Sequence, residues 1–449
     1  MIARSPPPLF SWIKLHCWLA LWLLLSACAT GTTTAVNSAA IAPSGSALSG
    51  QYRNLFAELG YTGPAIDARI NRAFNQLFYG DAATEAVYFP AGSNADGDKA
   101  YILDVNNNDV RSEGMSYGMM IAVQLNKQAE FNALWNWAHS HMYQADPGHP
   151  AYGYFAWSVR SDGIALDEMP APDGEEYFAT ALYFAAVRWG DGSGIYQYKA
   201  QADQLLTQMR HRRLITGNTQ RGSQTGTNLF HPHYAMVRFT PDLANAEHTD
   251  ASYHLPAFYQ VWARMGPEAD RAFWQKAARV SRDYFSKAAH PATGLTPDYG
   301  NFDGSPWAAP WRPESADFRF DAWRTAMNWS VDWSWWRFDT RAVELSDRLQ
   351  AFFASEGLNN YGGQYSLEGK KLDPQQTTGP TAGIVAMNAV ASLAASQPRA
   401  ADFVHALWQQ PVPTGQYRYY DGMLYLLGLL HVSGRFQAWL PPQQTDKTE

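Results

Sequence analysis

Apolar and polar positions along this 449-residue chain recur mostly with a helical period. Four stretches place their apolar residues on one stripe and their polar residues opposite it, as surface helices do. These amphipathic stretches are residues 129–142, 198–212, 268–288 and 341–354. Long runs that alternate apolar and polar residues, which would indicate half-buried strands, are absent from the sequence. The pattern therefore predicts an all-α fold.

Six further stretches are apolar on nearly all sides and rich in alanine, glycine and aromatic residues, which predicts buried helices. They are residues 113–125, 173–189, 250–265, 321–336, 379–395 and 419–434. Most lie next to an amphipathic stretch and recur at intervals of roughly 40–75 residues. This arrangement predicts an (α/α)6 barrel of six inner and six outer helices. We place this single domain at residues 51–440, because no second linker interrupts it.

Most of the predicted inner helices begin with acidic residues. These are Glu113, Asp173, Asp250, Asp321 and Asp421. At one end of a barrel, the helix N-termini would gather these groups around a single cleft, where helix dipoles stabilise negative charge. Helix capping is a competing explanation. Asp173 and Glu176 have the spacing of a capping box, and Asp250 and Asp421 suit plain N-caps.

Glu113 and Asp321 fit a capping role less well. Glutamate is not a preferred N-cap, and the neighbours of Glu113 are small enough to leave room for a ligand. Asp321 precedes Arg324 by three positions, which permits either a helix ion pair or an oriented carboxylate. A protonated carboxyl and a carboxylate about 6.5–9.5 Å apart can hydrolyse a glycosidic bond with inversion. Because apolar surroundings raise the pKa of an acid, Glu113 fits the acid and Asp321 the base.

Composition narrows the possible partners. The net charge of −7 and the absence of a basic stripe argue against a nucleic acid. The chain contains 18 Trp, 24 Tyr and 22 Phe residues. These aromatic residues suit a large core, and they are also compatible with a carbohydrate site.

Residues 1–28 predict a lipoprotein-type signal segment, with basic residues before an apolar stretch that is short for a membrane span. Leu-Ser-Ala-Cys at positions 25–28 resembles a bacterial lipobox, which implies cleavage before Cys28 and lipidation of its thiol. Ala29 follows rather than aspartate, which for such lipoproteins implies the outer membrane, facing either the periplasm or the cell exterior. An ordinary export signal is the alternative. Residues 29–50 predict a flexible linker, and no disulfide is available to the mature domain.

Four motifs resemble glycoside hydrolase family 8: RSEGMSYGMMIAV, PAPDGEEYFATALYFA, DASYHLPAFY and FDAWRTAMNWSVDW. The resemblance runs from about residue 51 to about residue 434. It implies an (α/α)6 barrel, an inverting mechanism and no metal or other cofactor. Matched by motif, Glu113 would be the general acid, Asp321 the general base and Asp173 a third acidic residue that contacts the central sugar.

The resemblance also implies residues that bind substrate. Tyr253 would help to hold the nucleophilic water. The candidates for lining the sugar subsites are Trp157, Arg324, Asn328 and Tyr420. Packing around the cleft would explain each of these four equally well.

PAPDGEEYF and SYHLP resemble most closely the xylan-active branch of the family, so we expect xylan or xylo-oligosaccharides as the substrate. We also expect a monomer. Exo-acting members close one end of the cleft with a loop that carries Leu-His-Pro before the fifth inner helix. The corresponding region here, residues 371–389, contains no histidine. This favours an open cleft and endo action. A reducing-end xylose-releasing exo-oligoxylanase and a β-1,4-glucanase of the same family are the alternatives.

Two other classes of function compete with a hydrolase. A glycan-binding lipoprotein without catalysis would explain the aromatic residues and the anchor, but not the acidic residues within the long motifs. A polysaccharide lyase or epimerase would need a tyrosine, histidine or arginine for proton abstraction. His231, His233, His248 and His254 leave that class open, and they also allow a metal site, although no tight ligand pattern supports one.

Overall fold

Helices dominate the chain in the computed structural model, which describes residues 44–372 and 379–442. The α-helices of these residues are α1 (Ser46–Ser49), α2 (Leu55–Glu58), α3 (Gly63–Tyr79), α4 (Ser112–Gln124), α5 (Gln128–His141), α6 (Pro172–Trp189), α7 (Tyr198–His211), α8 (Pro256–Met265), α9 (Arg271–Ala288), α10 (Trp323–Trp336), α11 (Arg341–Glu356), α12 (Ala382–Ala391), α13 (Ala400–Gln409) and α14 (Arg418–Val432). Short 3₁₀ helices join several of them, among them Ala251–Tyr253.

Six of these helices form a closed inner ring in chain order. Each of α4, α6, α8, α10, α12 and α14 contacts the next, and α14 contacts α4. These are the six stretches that the sequence marks as apolar on all sides, and their side chains are almost entirely buried. The predicted inner helices are therefore confirmed.

A second layer of helices surrounds the ring. The four predicted amphipathic stretches form α5, α7, α9 and α11, and each packs on the inner helix that precedes it. α13 packs on α12, and α3 packs on α14, which supplies the two outer helices that the periodicity did not mark. The layers are also joined electrostatically, because Arg282 of α9 donates two hydrogen bonds of 2.7 Å to Asp332 of α10. The predicted (α/α)6 barrel is confirmed.

Strands of two to eight residues lie in the segments between the helices. The strands of the described residues are β1 (Tyr88–Asn94), β2 (Gly97–Asp104), β3 (Asp109–Arg111), β4 (Ser158–Val159), β5 (Ala165–Asp167), β6 (Ile215–Thr219), β7 (Gly222–Gly226), β8 (Thr249–Asp250) and β9 (Tyr299–Gly300). Strands β1 to β5 form one antiparallel sheet in chain order, β6 pairs with β7, and β8 pairs with β9. β3 runs directly into α4, and this junction places the first turn of α4 at the end of the barrel.

The packed chain begins before the predicted domain boundary at Gln51. Helix α1 contacts α10, and the Ser46 hydroxyl donates a hydrogen bond of 3.0 Å to the carbonyl oxygen of Ser334. The last residues of the predicted 29–50 linker are therefore part of the domain. The predicted signal segment and Cys28 lie outside the described residues. Among the residues that are described, no helix combines the length and the apolar character needed to span a membrane.

Candidate active site

The N-terminal ends of several inner helices open into an elongated cleft made of two adjoining cavities. Their volumes are about 640 and about 600 Å³. Glu113 and Asp321 line both cavities, and so do Arg111 and Arg312. Glu113 and Asp321 therefore lie at the junction of the two halves. The predicted gathering of acidic helix starts holds for these two residues, for Asp173 and for Asp421. Asp250 is buried and lines neither half.

One buried arginine holds three of these carboxyl groups together. Nη1 of Arg324 donates hydrogen bonds to Glu113 Oε2 at 2.9 Å and to Asp173 Oδ2 at 2.7 Å. Nη2 donates to Asp321 Oδ1 at 2.9 Å. The Arg324 side chain is only 2% exposed, so its charge acts where water screens little. The predicted Asp321–Arg324 pair thus exists, but it is one part of a network that joins residues from α4, α6 and the start of α10.

Glu113 has the surroundings of a carboxylic acid that keeps its proton. Its side chain is 16% exposed, and its Oε1 accepts a hydrogen bond of 3.0 Å from the Tyr419 hydroxyl. Burial raises the pKa of Glu113 to about 7; Arg324 lowers it, while the charges of Asp173 and Asp321 add to the rise. A large fraction of Glu113 is therefore protonated at neutral pH, as a general acid requires.

Asp321 and Asp173 differ in their access to the cleft. Asp321 is 25% exposed, and its Oδ2 lies 3.6 Å from Nη1 of Arg312. Asp173 is 4% exposed, and burial raises its pKa, an effect that Arg324 opposes. Asp321 is thus the more accessible of the two to a water molecule in the cleft.

The shared guanidinium limits the separation of Glu113 and Asp321. Both bonded oxygens lie 2.9 Å from nitrogens of the same planar group. This confines the two oxygens to within about 8 Å of each other, which is compatible with the spacing of about 6.5–9.5 Å in inverting glycosidases.

Two glycines make this packing possible. A Cβ atom at Gly114 would lie 2.6 Å from the ring of Tyr419, the residue that bonds Glu113. A Cβ atom at Gly174 would lie 2.5 Å from Oγ of Ser112, where α6 approaches α4. The small residues that surround Glu113 in the sequence therefore serve close packing of the site, in addition to leaving space in front of it.

The capping explanations are corrected by the structure. Asp173 lies inside the first turn of α6 and bonds Arg324, while Glu176 accepts a hydrogen bond of 2.6 Å from Tyr259, so no capping box forms. Asp250 caps only the 3₁₀ helix Ala251–Tyr253. Asp421 accepts the N–H of Gly383 at 2.8 Å, and so it caps the neighbouring helix α12 and not its own helix.

The predicted substrate-binding residues divide into two groups. Trp157 and Tyr253 line the first cavity, together with Arg324, and Tyr420 lines the second. Asn328 lines neither cavity, because it is buried and its amide donates a hydrogen bond of 2.6 Å to the carbonyl oxygen of Ser252. Its place behind the cleft corrects the prediction that it lines a subsite, and its contact supports the backbone next to Tyr253.

Several residues of the cleft were not singled out from the sequence. Tyr419 and Arg312 contact or face the carboxyl groups. Trp311, Phe320 and Tyr417 line the cleft with 53%, 42% and 66% exposure, which makes them available to a sugar ring. Trp311 and Arg312 lie in a loop without hydrophobic periodicity, so no local pattern marks them. Tyr419 could have been predicted from the sequence, because it directly precedes Tyr420, a predicted subsite residue, at the start of α14.

The four histidines considered for proton abstraction or metal binding line neither cavity. His254 is buried and contacts Ser281 at 2.9 Å, and the His248 ring packs on Trp307 at a centroid distance of 3.6 Å. Within residues 44–372 and 379–442, no group of three or more His, Cys, Asp or Glu side chains could hold a metal ion.

A carboxylic acid and a more exposed carboxyl group at the centre of an open cleft are the pair that an inverting glycoside hydrolase requires. The sequence profile described as "Glycosyl hydrolases family 8" matches residues 101–434, and the chain belongs to this family. The predicted family and enzyme class are confirmed. Membership of a hydrolase family disfavours the two rival classes, a non-catalytic glycan-binding protein and a lyase or epimerase.

Similar proteins agree with this assignment. A crystal structure of a GH8 xylobiose complex from Teredinibacter turnerae is 62% identical, covers 88% of this chain and all of that chain, and has a TM-score of 0.87. A reducing-end xylose-releasing exo-oligoxylanase of Paenibacillus barcinonensis is 43% identical over 87% of this chain and 97% of its own length. A reducing-end xylose-releasing exo-oligoxylanase of Halalkalibacterium halodurans is 39% identical over 88% of this chain and 97% of its own length.

Proposed function

We propose that this protein hydrolyses β-1,4-xylosidic bonds in xylan and xylo-oligosaccharides, with inversion at the anomeric carbon. The observation that carries the proposal is the Arg324 network, which holds Glu113 and Asp321 at the junction of the two cavities. It provides a partly exposed acid with a pKa of about 7 beside a more exposed carboxylate.

In the proposed reaction, protonated Glu113 gives its proton to the glycosidic oxygen as the bond from that oxygen to the anomeric carbon breaks. A water molecule attacks the opposite face of the sugar and loses a proton to Asp321. Asp173 contacts the central sugar and Tyr253 helps to hold the water, while Trp157 and Tyr420 line the subsites. The next turnover requires a proton to return from Asp321 to Glu113 through solvent.

Arg324 suits this reaction because it donates hydrogen bonds to both the proposed acid, Glu113, and the proposed base, Asp321. Each turnover moves one negative charge from Asp321 to Glu113. Nη2 of Arg324 contacts the charge before the reaction, and Nη1 contacts it afterwards. The cation therefore keeps a partner throughout, with little reorganisation of the site.

The similar proteins support xylan as the substrate. A further Teredinibacter turnerae structure, of a GH8 xylanase catalytic mutant in complex with xylohexaose, is 62% identical to this chain. Three relatives at 38–43% identity are named as reducing-end xylose-releasing exo-oligoxylanases. Endoglucanases that match are less similar, at 24–27% identity for the first two. Both groups of closer relatives act on xylose chains, so a β-1,4-glucanase is the weaker alternative.

For the mode of action, we propose endo cleavage. The cleft extends on both sides of Glu113 and Asp321, which gives a long chain room in both directions. The 371–389 region lacks the histidine of the exo-acting members, although its residues 373–378 lie outside those that the structure describes. The names of the curated relatives favour the alternative, a reducing-end exo-oligoxylanase.

A time course on xylohexaose labelled at its reducing end tests the proposal, with barley β-glucan and carboxymethylcellulose as controls. Early labelled fragments of intermediate length are expected for an endo-xylanase. Labelled xylose as the only early labelled product would establish the exo mode, and cleavage of the glucans alone would overturn the substrate. Proton NMR of the first product should show the α-anomer, whereas a β-anomer would contradict inversion.

We also propose that the mature protein is a monomer attached to the outer membrane by a lipid on Cys28. The support is the sequence of residues 25–28, which precede the described part of the chain. Radiolabelled palmitate should be incorporated into the wild-type protein and not into Cys28→Ser. Protease treatment of intact cells then distinguishes the periplasmic from the exterior face, and size-exclusion chromatography tests the monomer.

A further inference from the structure

A buried carboxylate fixes the backbone beside the proposed base. Asp298 is fully buried, and its Oδ1 accepts the backbone N–H of Ala322 at 3.0 Å. Ala322 directly follows Asp321, so this bond determines where the Asp321 side chain leaves the main chain. Oδ2 of Asp298 accepts a hydrogen bond of 3.0 Å from Nη2 of Arg312. Burial, together with the charge of Asp321, raises the pKa of Asp298 to about 8, while Arg312 and the N–H of Ala322, which can only donate, oppose this rise.

The same carboxylate orients Arg312 towards the cleft. Besides its bond to Asp298, Arg312 donates a hydrogen bond of 3.0 Å from Nη1 to the Tyr299 hydroxyl. Its guanidinium also lies 5.4 Å from the centre of the Tyr299 ring. These contacts leave Nη1 3.6 Å from Oδ2 of Asp321. Arg312 lines both halves of the cleft, at the junction where the proposed reaction occurs.

The two carboxylate oxygens of Asp321 consequently have different partners. Oδ1 accepts a hydrogen bond of 2.9 Å from Arg324. Oδ2 faces Arg312 at 3.6 Å, a distance at which the positive charge stabilises the carboxylate without forming a hydrogen bond. Within the described residues, Oδ2 therefore keeps its lone pairs available for a water molecule.

We propose that Asp298 and Arg312 are a positioning pair that selects Oδ2 of Asp321 as the oxygen that accepts the proton of the attacking water. The inference rests on the proposed role of Asp321 as general base. In that step one O–H bond of water breaks, its proton passes to Oδ2, and the water oxygen bonds to the anomeric carbon. The bond from that carbon to the leaving oxygen breaks, and the leaving oxygen takes the proton of Glu113.

Arg312 supplies part of the positive charge that stabilises the carboxylate of Asp321. The titratable and charged groups that interact with Asp321 are Glu113, Asp173, Asp250, Asp298, Tyr253, Tyr299, Tyr420, Arg312 and Arg324. Only two of these are cations, and Arg324 is shared with Glu113 and Asp173. Without Arg312, the buried acidic groups disfavour a negative charge on Asp321 more strongly.

The test is the pH dependence of kcat/KM on xylohexaose for the full-length protein and its variants. In Arg312→Met and Arg312→Gln, the acidic limb of this profile should move to higher pH by about one unit, so activity at a pH below the wild-type midpoint of that limb falls about tenfold while activity above the limb is retained. Arg312→Lys, which retains the charge, should keep the wild-type limb. Arg341→Met removes a cation from outer helix α11 that bonds Asp283 and Asp339 and lines neither cavity, so it should leave the profile unchanged.

The Asp321→Asn variant tests the proposed function, and the Arg312 variants test the positioning role, so the two claims can fail separately. An inactive Asp321→Asn variant, together with a shifted limb in the neutral Arg312 variants, supports both. If Asp321→Asn is inactive but the Arg312 variants lose activity equally at all pH values, or fail to fold, the role of Arg312 is structural and the inference is overturned. If Asp321→Asn remains active, the proposed function itself fails.

Discussion

Replacing Glu113 by glutamine tests its role as general acid through two quantities, the free energy of unfolding and the rate of hydrolysis. The rise of the Glu113 pKa from 4.5 to about 7 makes ionisation less favourable in the folded than in the unfolded protein by about 3 kcal/mol. Because the folded-state pKa is raised, the stability contribution of the protonated group is fully present below pH 4.5. It is lost as the pH rises from 4.5 through about 7. Glutamine cannot ionise and avoids this loss. Its carbonyl can accept from Arg324, while its amide can donate to Tyr419.

From pH 5 to pH 9, the difference in unfolding free energy between variant and wild type should therefore change by about 2–3 kcal/mol in favour of Glu113→Gln. Urea unfolding followed by tryptophan fluorescence measures this difference. Hydrolysis of unactivated xylohexaose should fall by about 10²–10⁴-fold, and an aryl glycoside with a good leaving group should lose much less. Glu344→Gln, an exposed change on α11, is the matched control and should alter neither quantity.

Two results would refute this reasoning. A stability difference that does not vary with pH would show that Glu113 ionises like a surface carboxyl. Retention of most activity on xylohexaose would show that another group protonates the leaving oxygen. The first result removes the electrostatic basis of the assignment, and the second removes the assignment itself.

Three further substitutions probe the packing and the cleft. Arg282→Leu leaves the buried carboxylate of Asp332 without its partner, so we expect a loss of about 3–5 kcal/mol of stability in urea unfolding, and an unchanged midpoint would contradict it. Gly114→Ala places a methyl group 2.6 Å from the Tyr419 ring, so kcat should fall at least tenfold by steady-state assay while circular dichroism stays native. Trp157→Ala removes an aromatic surface of the first cavity and should raise KM about tenfold, a cost of about 1.4 kcal/mol, with a smaller effect in Trp157→Phe.

The inner ring was predictable because a buried helix needs apolar side chains in every direction. The boundaries were less predictable. Residues 250–253 form β8 and a 3₁₀ helix before α8 begins at Pro256, whose missing N–H suits a first helical position. The strands were missed: segments of two or three residues, such as β8 and β3, are too brief to show an alternating pattern, whereas β2 has eight residues and alternates only in its second half.

The candidate site was only partly readable from the chain. The acidic helix starts stand out as charges in apolar surroundings, and for this reason Glu113, Asp173 and Asp321 could be singled out. Arg312 and Asp298 have no such contrast, since they lie in irregular segments whose neighbours in space come from other parts of the chain. Asn328 stood out within a motif, but its amide bonds a backbone carbonyl behind the cleft.

By itself, the sequence determined the class of fold and the family, because hydrophobic periodicity and long motifs are properties of consecutive residues. The tertiary structure decided which charges meet. Arg324 lies 211 positions from Glu113 and 151 from Asp173, yet one guanidinium nitrogen bonds both. Burial of that network, which sets the pKa of Glu113, arises only when the helices close into a ring. The acid of this site is therefore made by the fold, since an isolated glutamate in water would ionise near pH 4.5.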